Sequence, residues 1–365
     1  MALEMNLDDY KKIFLNTVNN YTRSAKKQII NELENEKIIS FDPNIKIGED
    51  GNALYISSKD FDEIIYRILI ENNNVYFFEF WEFVKMYKYS IPLYFEGEIN
   101  SQLTNITEFS LSDKTELPRA LASNLLEIQP YLYKENSLYF LKFCMQRNYY
   151  DAQKAEVVDY RYVINIVLDM ENKMIDIRFD GLKSEPNVDT TRFFSDIYKM
   201  CISWLKENLG IKIYSVETKR TIDVIKNDTS NVKIYKQMMC LSSGGSAELT
   251  ASGVNNDYVL PFIDELKELI EENDEINKSE VIKNILLEYI KDKEETSIYP
   301  YIYVKWNRPI ESQSFIVKVV FRYNNEYTQL QHIAGQCKSA RMERMNETIK
   351  YLFNSGAFIK GEELQ

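Results

Sequence analysis

The chain has 365 residues, 45% hydrophobic and 27% charged, and its 56 acids outnumber 44 bases to leave a formal charge of -12. That composition excludes collagen-like, rod-like and wholly disordered classes and implies about two folded domains. The acidic balance argues against a surface that coats nucleic acid or anionic membrane throughout. The single histidine, His332, excludes two-histidine metal centres and the His-Glu-x-x-His helix.

Residues 6 to 37 predict one long helix. Leu7, Tyr10, Phe14, Val18, Tyr21, Ala25, Ile29 and Leu33 recur at spacings of three and four, and no proline intervenes. The runs 44–47 and 53–56 around an Asp50-Gly51 turn predict a hairpin. Asp60 to Glu71 reads as a helix with Ser57 or Ser58 as cap, and 74–80 and 91–99 read as strands. Pro118 opens a short helix to Leu126, which Pro130 stops.

The middle of the chain has the clearest pattern. Tyr160 to Asp169 alternates as a strand, 170–173 turns, and Met174 to Asp180 returns. Ile175, Ile177 and Phe179 fall on one face; Asp176, Arg178 and Asp180 fall on the other, read as the polar outer face. Thr190 to Leu209 is an amphipathic helix closed by Gly210, and 211–216 is a strand. Two strand-like runs span 232–252, and helices follow over 260–272 and 279–292. Then come strands at 299–306 and 314–322 and a helix at 338–353. The expected fold is α+β. Two mixed halves each carry an antiparallel strand–turn–strand followed by an amphipathic helix, with the long first helix and the acidic helix pair in addition. The expected division is 1–150 and 151–365, with a sub-boundary near 253–260.

The cysteines, Cys144, Cys201, Cys240 and Cys337, are widely spaced and form no Cys-x-x-Cys, so they read as reduced, buried thiols of a cytoplasmic protein. The first nine residues lack a basic, apolar leader. The most apolar stretch, 64–83, is broken by Arg67, Glu71 and Glu79, so no membrane span is expected. The 26 tyrosines and 19 phenylalanines fit the codon bias of an AT-rich bacterial or phage genome, and aromatic clustering alone therefore carries no functional weight.

Three groups of residues bear chemistry. Glu217-Thr218-Lys219 follows an apolar strand. With Asp176 or Asp180 it matches the carboxylate–lysine pattern by which PD-(D/E)xK-type nucleases hold Mg²⁺. A helix separates these acids where that core places them on successive strands, and the match covers three residues, not a family. Lys338, Arg341 and Arg344 recur every third residue on the last helix. With Arg322 they make a basic stripe suited to phosphates. The Ser/Gly run 242–246 lacks the lysine of a phosphate-binding loop and reads as a turn. Charge is segregated: residues 261–297 hold twelve acids and five lysines, so they carry -7 of the -12.

The leading expectation is a non-catalytic adaptor or sensor subunit of a bacterial multi-protein system. It meets a protein partner through one surface and nucleic acid through a local basic face, and needs no cofactor. The alternatives are a Mg²⁺-dependent nuclease and an acidic nucleic-acid mimic of a phage or mobile element.

Overall fold

A computed structural model describes residues 3–42, 53–72, 74–110, 120–152, 154–182, 188–228, 230–240, 245–250, 261–306, 315–333 and 342–365. The chain divides into two compact units. The first comprises Met1–Ser215, Cys337–Met345 and Glu362–Gln365; the second comprises Val216–Gln336 and Asn346–Gly361.

The first unit is organised on an antiparallel sheet. Its strands are β1 (Tyr89–Glu96), β2 (Tyr131–Glu135), β3 (Leu138–Asp151), β4 (Glu156–Asp169), β5 (Met174–Phe179) and the start of β6 (Lys212–Glu217). They pair in the order β2-β3-β4-β5-β1-β6, the last through Lys212–Tyr214. The register sets Asn165 between Lys142 and Arg178, and Val167 between Phe140 and Asp176. Strand pleating therefore places Phe140, Lys142, Cys144, Arg161, Asn165, Asp176 and Arg178 on one face.

The opposite face is covered by α5 (Thr190–Leu209). Its Trp204 meets Phe143 edge-on at 5.0 Å, Phe193 meets Tyr162 at 5.1 Å, and Phe194 meets Phe179 at 5.2 Å between ring centres. The helix has the ends its sequence predicts. Asp189 accepts from the amides of Thr191 and Arg192, and Gly210 takes the left-handed conformation, φ 65°, that ends it.

The polar face is covered by α1 (Leu7–Asn19), α2 (Arg23–Asn35), α3 (Phe61–Tyr66, continued by a π turn to Glu71) and α4 (Val75–Val84). Phe14, Ile29, Leu33, Ile68 and Phe78 pack with Phe140, Val163 and Val167 in one core. Asp176 and Arg178 are thus buried rather than on an outer face, at 3% and 2% exposure.

Three expectations change. The single helix over 6–37 is two helices. The amide of Asn20 closes α1 on the carbonyls of Asn16 and Thr17, and the Thr22 side chain caps α2 through the Ala25 amide. Both helices bury a face in the same core, so the spacing runs on through the break. Residues 75–84 are a helix rather than a strand. An apolar run broken only by Glu79 and Glu82 has little period to read, and only a helix points Glu79 and Glu82, three apart, at the same neighbour. The cap of α3 is Asp60, through the amides of Asp62 and Glu63. The 150/151 division expected from the sequence falls beside the turn of the β3–β4 hairpin, whose strands pair from Leu138–Asp169 to Asp151–Glu156.

The second unit contains α6 (Thr221–Asn227), β7 (Val232–Cys240), β8 (Ser246–Thr250), α7 (Pro261–Glu272), α8 (Asp274–Lys278) and α9 (Glu280–Thr296). It continues with β9 (Ile298–Trp306), β10 (Ile316–Tyr323), β11 (Tyr327–Ile333), most of α10 (Glu343–Asn354), and the start of β12 (Ile359–Glu363). The sheet order is β8-β7-β9-β10-β11, antiparallel throughout. One face is apolar and buried. Ile302, Val304, Val317, Val319 and Leu330 lie there, and Trp306 stacks on Phe315 at 4.8 Å and meets Tyr351 of α10 edge-on. The Tyr351 hydroxyl donates to Asp228 at 3.0 Å.

The α+β class is therefore as the sequence predicts, with β2, β3, β11 and β12 added to it. The hairpin turn at 48–52, Pro118, Cys337 and most of the 242–246 run lie outside the described residues. Cys144 and Cys201 are buried and unbridged. Among the described residues no helix is long and apolar enough to cross a membrane.

Candidate functional site

The densest group of titratable side chains lies between α4 and the polar face of the first sheet. Glu79 and Glu82 project from successive turns of α4. Lys142 of β3 pairs with Glu79 and lies 3.3 Å from Glu82. The Nη2 of Arg161, on β4, is 2.8 Å from Glu82, 3.2 Å from Glu79 and 2.9 Å from the Cys144 sulfur. Tyr10 donates to Glu79 and Tyr21 to Glu82, and the Arg161 guanidinium lies 3.8 Å from the centre of the Phe14 ring. All four charged side chains are within 1% of full burial.

The donor chemistry is that of a buried ionic cluster. Two carboxylates face two cations, so the group is neutral inside a dry core. Oxygen and sulfur atoms of Glu79, Glu82 and Cys144 lie within 4.8 Å of one another, as three metal ligands would. Lys142 and Arg161 already supply the positive charge that a metal would bring. Burial holds the Cys144 thiol above its ordinary pKa, against the pull of Arg161 and Lys142, so the thiolate form is disfavoured. The cluster is built to hold α4 on the sheet.

Burial alone would raise the pKa of Glu79, but Arg161 and Lys142, with hydrogen bonds from Lys142 and Tyr10, hold it far below the carboxylate range. The ionised form therefore stabilises the folded state above pH 4.5, and that contribution is lost as the pH falls from 4.5 to about 2. Acid titration followed by far-ultraviolet circular dichroism should show the loss of structure in that window. Glu79→Gln should remove this component of the pH dependence.

Of the acids and bases expected to carry catalysis, Asp176 and Asp180 belong to the first unit and Glu217 and Lys219 to the second. Asp176 accepts from the Arg178 Nε at 2.6 Å, both buried. Burial raises its pKa, opposed by Arg178 and by a hydrogen bond from Ser90. Asp180 pairs with Lys85 and accepts from the Lys88 amide at 3.0 Å. Asp169 holds the β4–β5 turn through the amides of Glu171 and Asn172. Glu217 belongs to the second unit, where its own Lys219 lies 3.4 Å away and is largely exposed. Arg322 is exposed and Arg344 is buried, and Lys338 and Arg341 lie outside the described residues. His332 is buried on β11.

A surface of a different kind occurs on the acidic segment. Ile270 of α7 and Ile290 of α9 are buried. Val281, Ile282, Ile285 and Tyr289 of α9 are not: their exposures run from 50% to 69%. At 100° per residue these four occupy one strip about two and a half turns long. Glu288 and Asp292, exposed, border it. The sequence carried a signal for this strip. Apolar residues at 281, 282, 285, 286, 287, 289 and 290 cover more than half of the helix circumference, wider than one buried stripe requires.

Neither the protein-family models nor the curated proteins compared with this chain give a match.

Proposed function

We propose that the protein is a non-catalytic interaction protein, an adaptor whose acidic helical segment receives a basic amphipathic helix of a partner protein. The observation that carries this reading is the strip Val281, Ile282, Ile285 and Tyr289. Four large apolar side chains stand in solvent on a segment that holds -7 of the net charge. Exposed apolar groups rimmed by charge are a feature of docking sites, and a helix laid in such a strip is anchored by residues three and four apart. The acidic rim selects a basic partner and speeds its approach. A mimic of nucleic acid would present charge alone; the apolar strip favours a protein ligand.

A synthetic helical peptide with leucines on one face and lysines on the other is the probe. Fluorescence anisotropy with the full chain should show saturable binding that weakens with salt. Ile282→Asp with Ile285→Asp should lower the affinity by at least about tenfold, while changing stability by less than about 0.5 kcal/mol because both sites are exposed. Equal affinity of the double variant would overturn the reading. So would sedimentation of the free chain as a dimer that the same variant dissociates, which would make a second copy the occupant.

A further inference from the structure

The second unit carries another surface, on the face of its sheet away from Trp306. Register fixes which residues share it. Lys233, Lys305, Ile316 and Ile333 form one row across the strands. Lys236, Tyr303, Lys318 and Gln331 form the next. Met238, Tyr301 and Val320 form a third, which Glu248 of β8 joins. The side chains of the first two rows are half-exposed, apart from Ile333, which is exposed.

Charge on this face is opposite to that of the whole chain. Among the described residues its three rows hold four lysines, Lys233, Lys236, Lys305 and Lys318, and one acid, Glu248. Glu248 pairs with Lys236 at 2.7 Å and accepts from the Tyr301 hydroxyl at 2.8 Å. Lys318 lies 3.7 Å from the centre of the Tyr301 ring and 5.5 Å from that of Tyr303. Lys236 is also 5.5 Å from the Tyr303 ring centre. Tyr301 is thus engaged at both its ring and its hydroxyl, and it holds Lys318 at the surface. Tyr303 stands between two lysines in the middle row.

We propose that this sheet face binds single-stranded nucleic acid, with the lysines on the phosphates and Tyr303 stacking on a base. Lysines spread along the strands follow a flexible backbone, and an aromatic ring among them accepts any unpaired base through its π face. A duplex hides its bases and offers this broad face only its phosphates. The site is independent of the α9 strip.

The test uses the full chain, with fluorescein-labelled oligo(dU), oligo(U) and a duplex of equal length. Both single strands should bind more tightly than the duplex. The logarithm of affinity should fall with the logarithm of salt with a slope of about -3, the value for four phosphate contacts on a single strand. Lys233→Gln with Lys305→Gln should reduce that slope to about -1.5. Tyr303→Leu should weaken binding about tenfold and leave the slope unchanged. Circular dichroism and thermal melting of each variant show that it is folded. A difference in affinity between oligo(U) and oligo(dU), which differ only in the 2′-hydroxyl, would support the site and identify the sugar it reads. Absence of binding at about 50 mM salt, a duplex bound as tightly as the single strands, or lysine variants that fold and bind as the parent does would each overturn it.

Discussion

Arg161→Met should destabilise the first unit by about 3–5 kcal/mol, read as a lower urea midpoint of the transition that reports that unit. Arg161 Nη2 touches both Glu79 and Glu82 and the guanidinium lies over Phe14, all at near-zero exposure. Met fills a similar apolar volume, so little is lost in packing. What remains is two carboxylates against Lys142 alone, with an uncompensated negative charge in a dry core. The second variant separates this cause from simple damage. Adding Glu82→Gln to Arg161→Met restores charge balance and should recover more than half of the loss. Replacing the whole cluster by apolar residues of similar volume should be close to neutral, because the desolvation of four ions then disappears along with their attraction. A single variant that unfolds at the parent's urea concentration would show that the cluster does not secure α4.

Asp176→Ala should cost about 3 kcal/mol for the same reason, although the two sites share no side chain. Asp176 supplies the carboxylate on the Arg178 Nε, and the α1–α4 layer leaves Asp176 only 3% exposed. Removing it takes the carboxylate from the Nε of a guanidinium held between β1 and β4 at 2% exposure. Asp176→Ala combined with Arg178→Met should be less destabilised than Asp176→Ala alone, which is the non-additivity expected of two groups in contact. The measurement also bears on the carboxylate–lysine reading of Glu217, Lys219 and Asp176. A metal-binding acid can be exchanged at little cost in stability, with its effect confined to cleavage of plasmid DNA in Mg²⁺. An acid that neutralises a buried arginine shows its effect in the urea transition.

Legibility in the sequence varied with the kind of signal. Helix α5 was readable to its ends, because Asp189, the 3.6-residue period and Gly210 each act locally. The β4–β5 hairpin was readable because apolar and polar residues alternate and Lys173, with φ 54°, sits in the turn between them. Alternation did not disclose that both faces are covered. In a sheet with one wet face Asp176 and Arg178 would stand in water; here the layer of helices α1 to α4 lies over them. Helix α4 was unreadable because eight apolar residues out of ten suit a buried helix and a buried strand equally. The acidic segment was legible as charge, and its excess of apolar residues over one buried stripe was legible too, but which of them stand exposed was not. Ile285 looks the same in sequence as Ile290, and only packing separates the exposed residue from the buried one.

By itself the sequence determined the quantities that depend on neighbours along the chain. These are the α+β class, the positions of most helices and strands, the segregation of acid into 261–297, and the lack of histidine for a histidine-based centre. Tertiary structure decided which charged residues meet. Glu79 lies 63 residues from Lys142 and 82 from Arg161, and Lys236 is opposed to Tyr303 only through strand register. Local propensity sets the backbone of each segment, but the partner of a buried charge is chosen by sheet register and by the layer that excludes water. Neither is encoded within any one stretch of the chain.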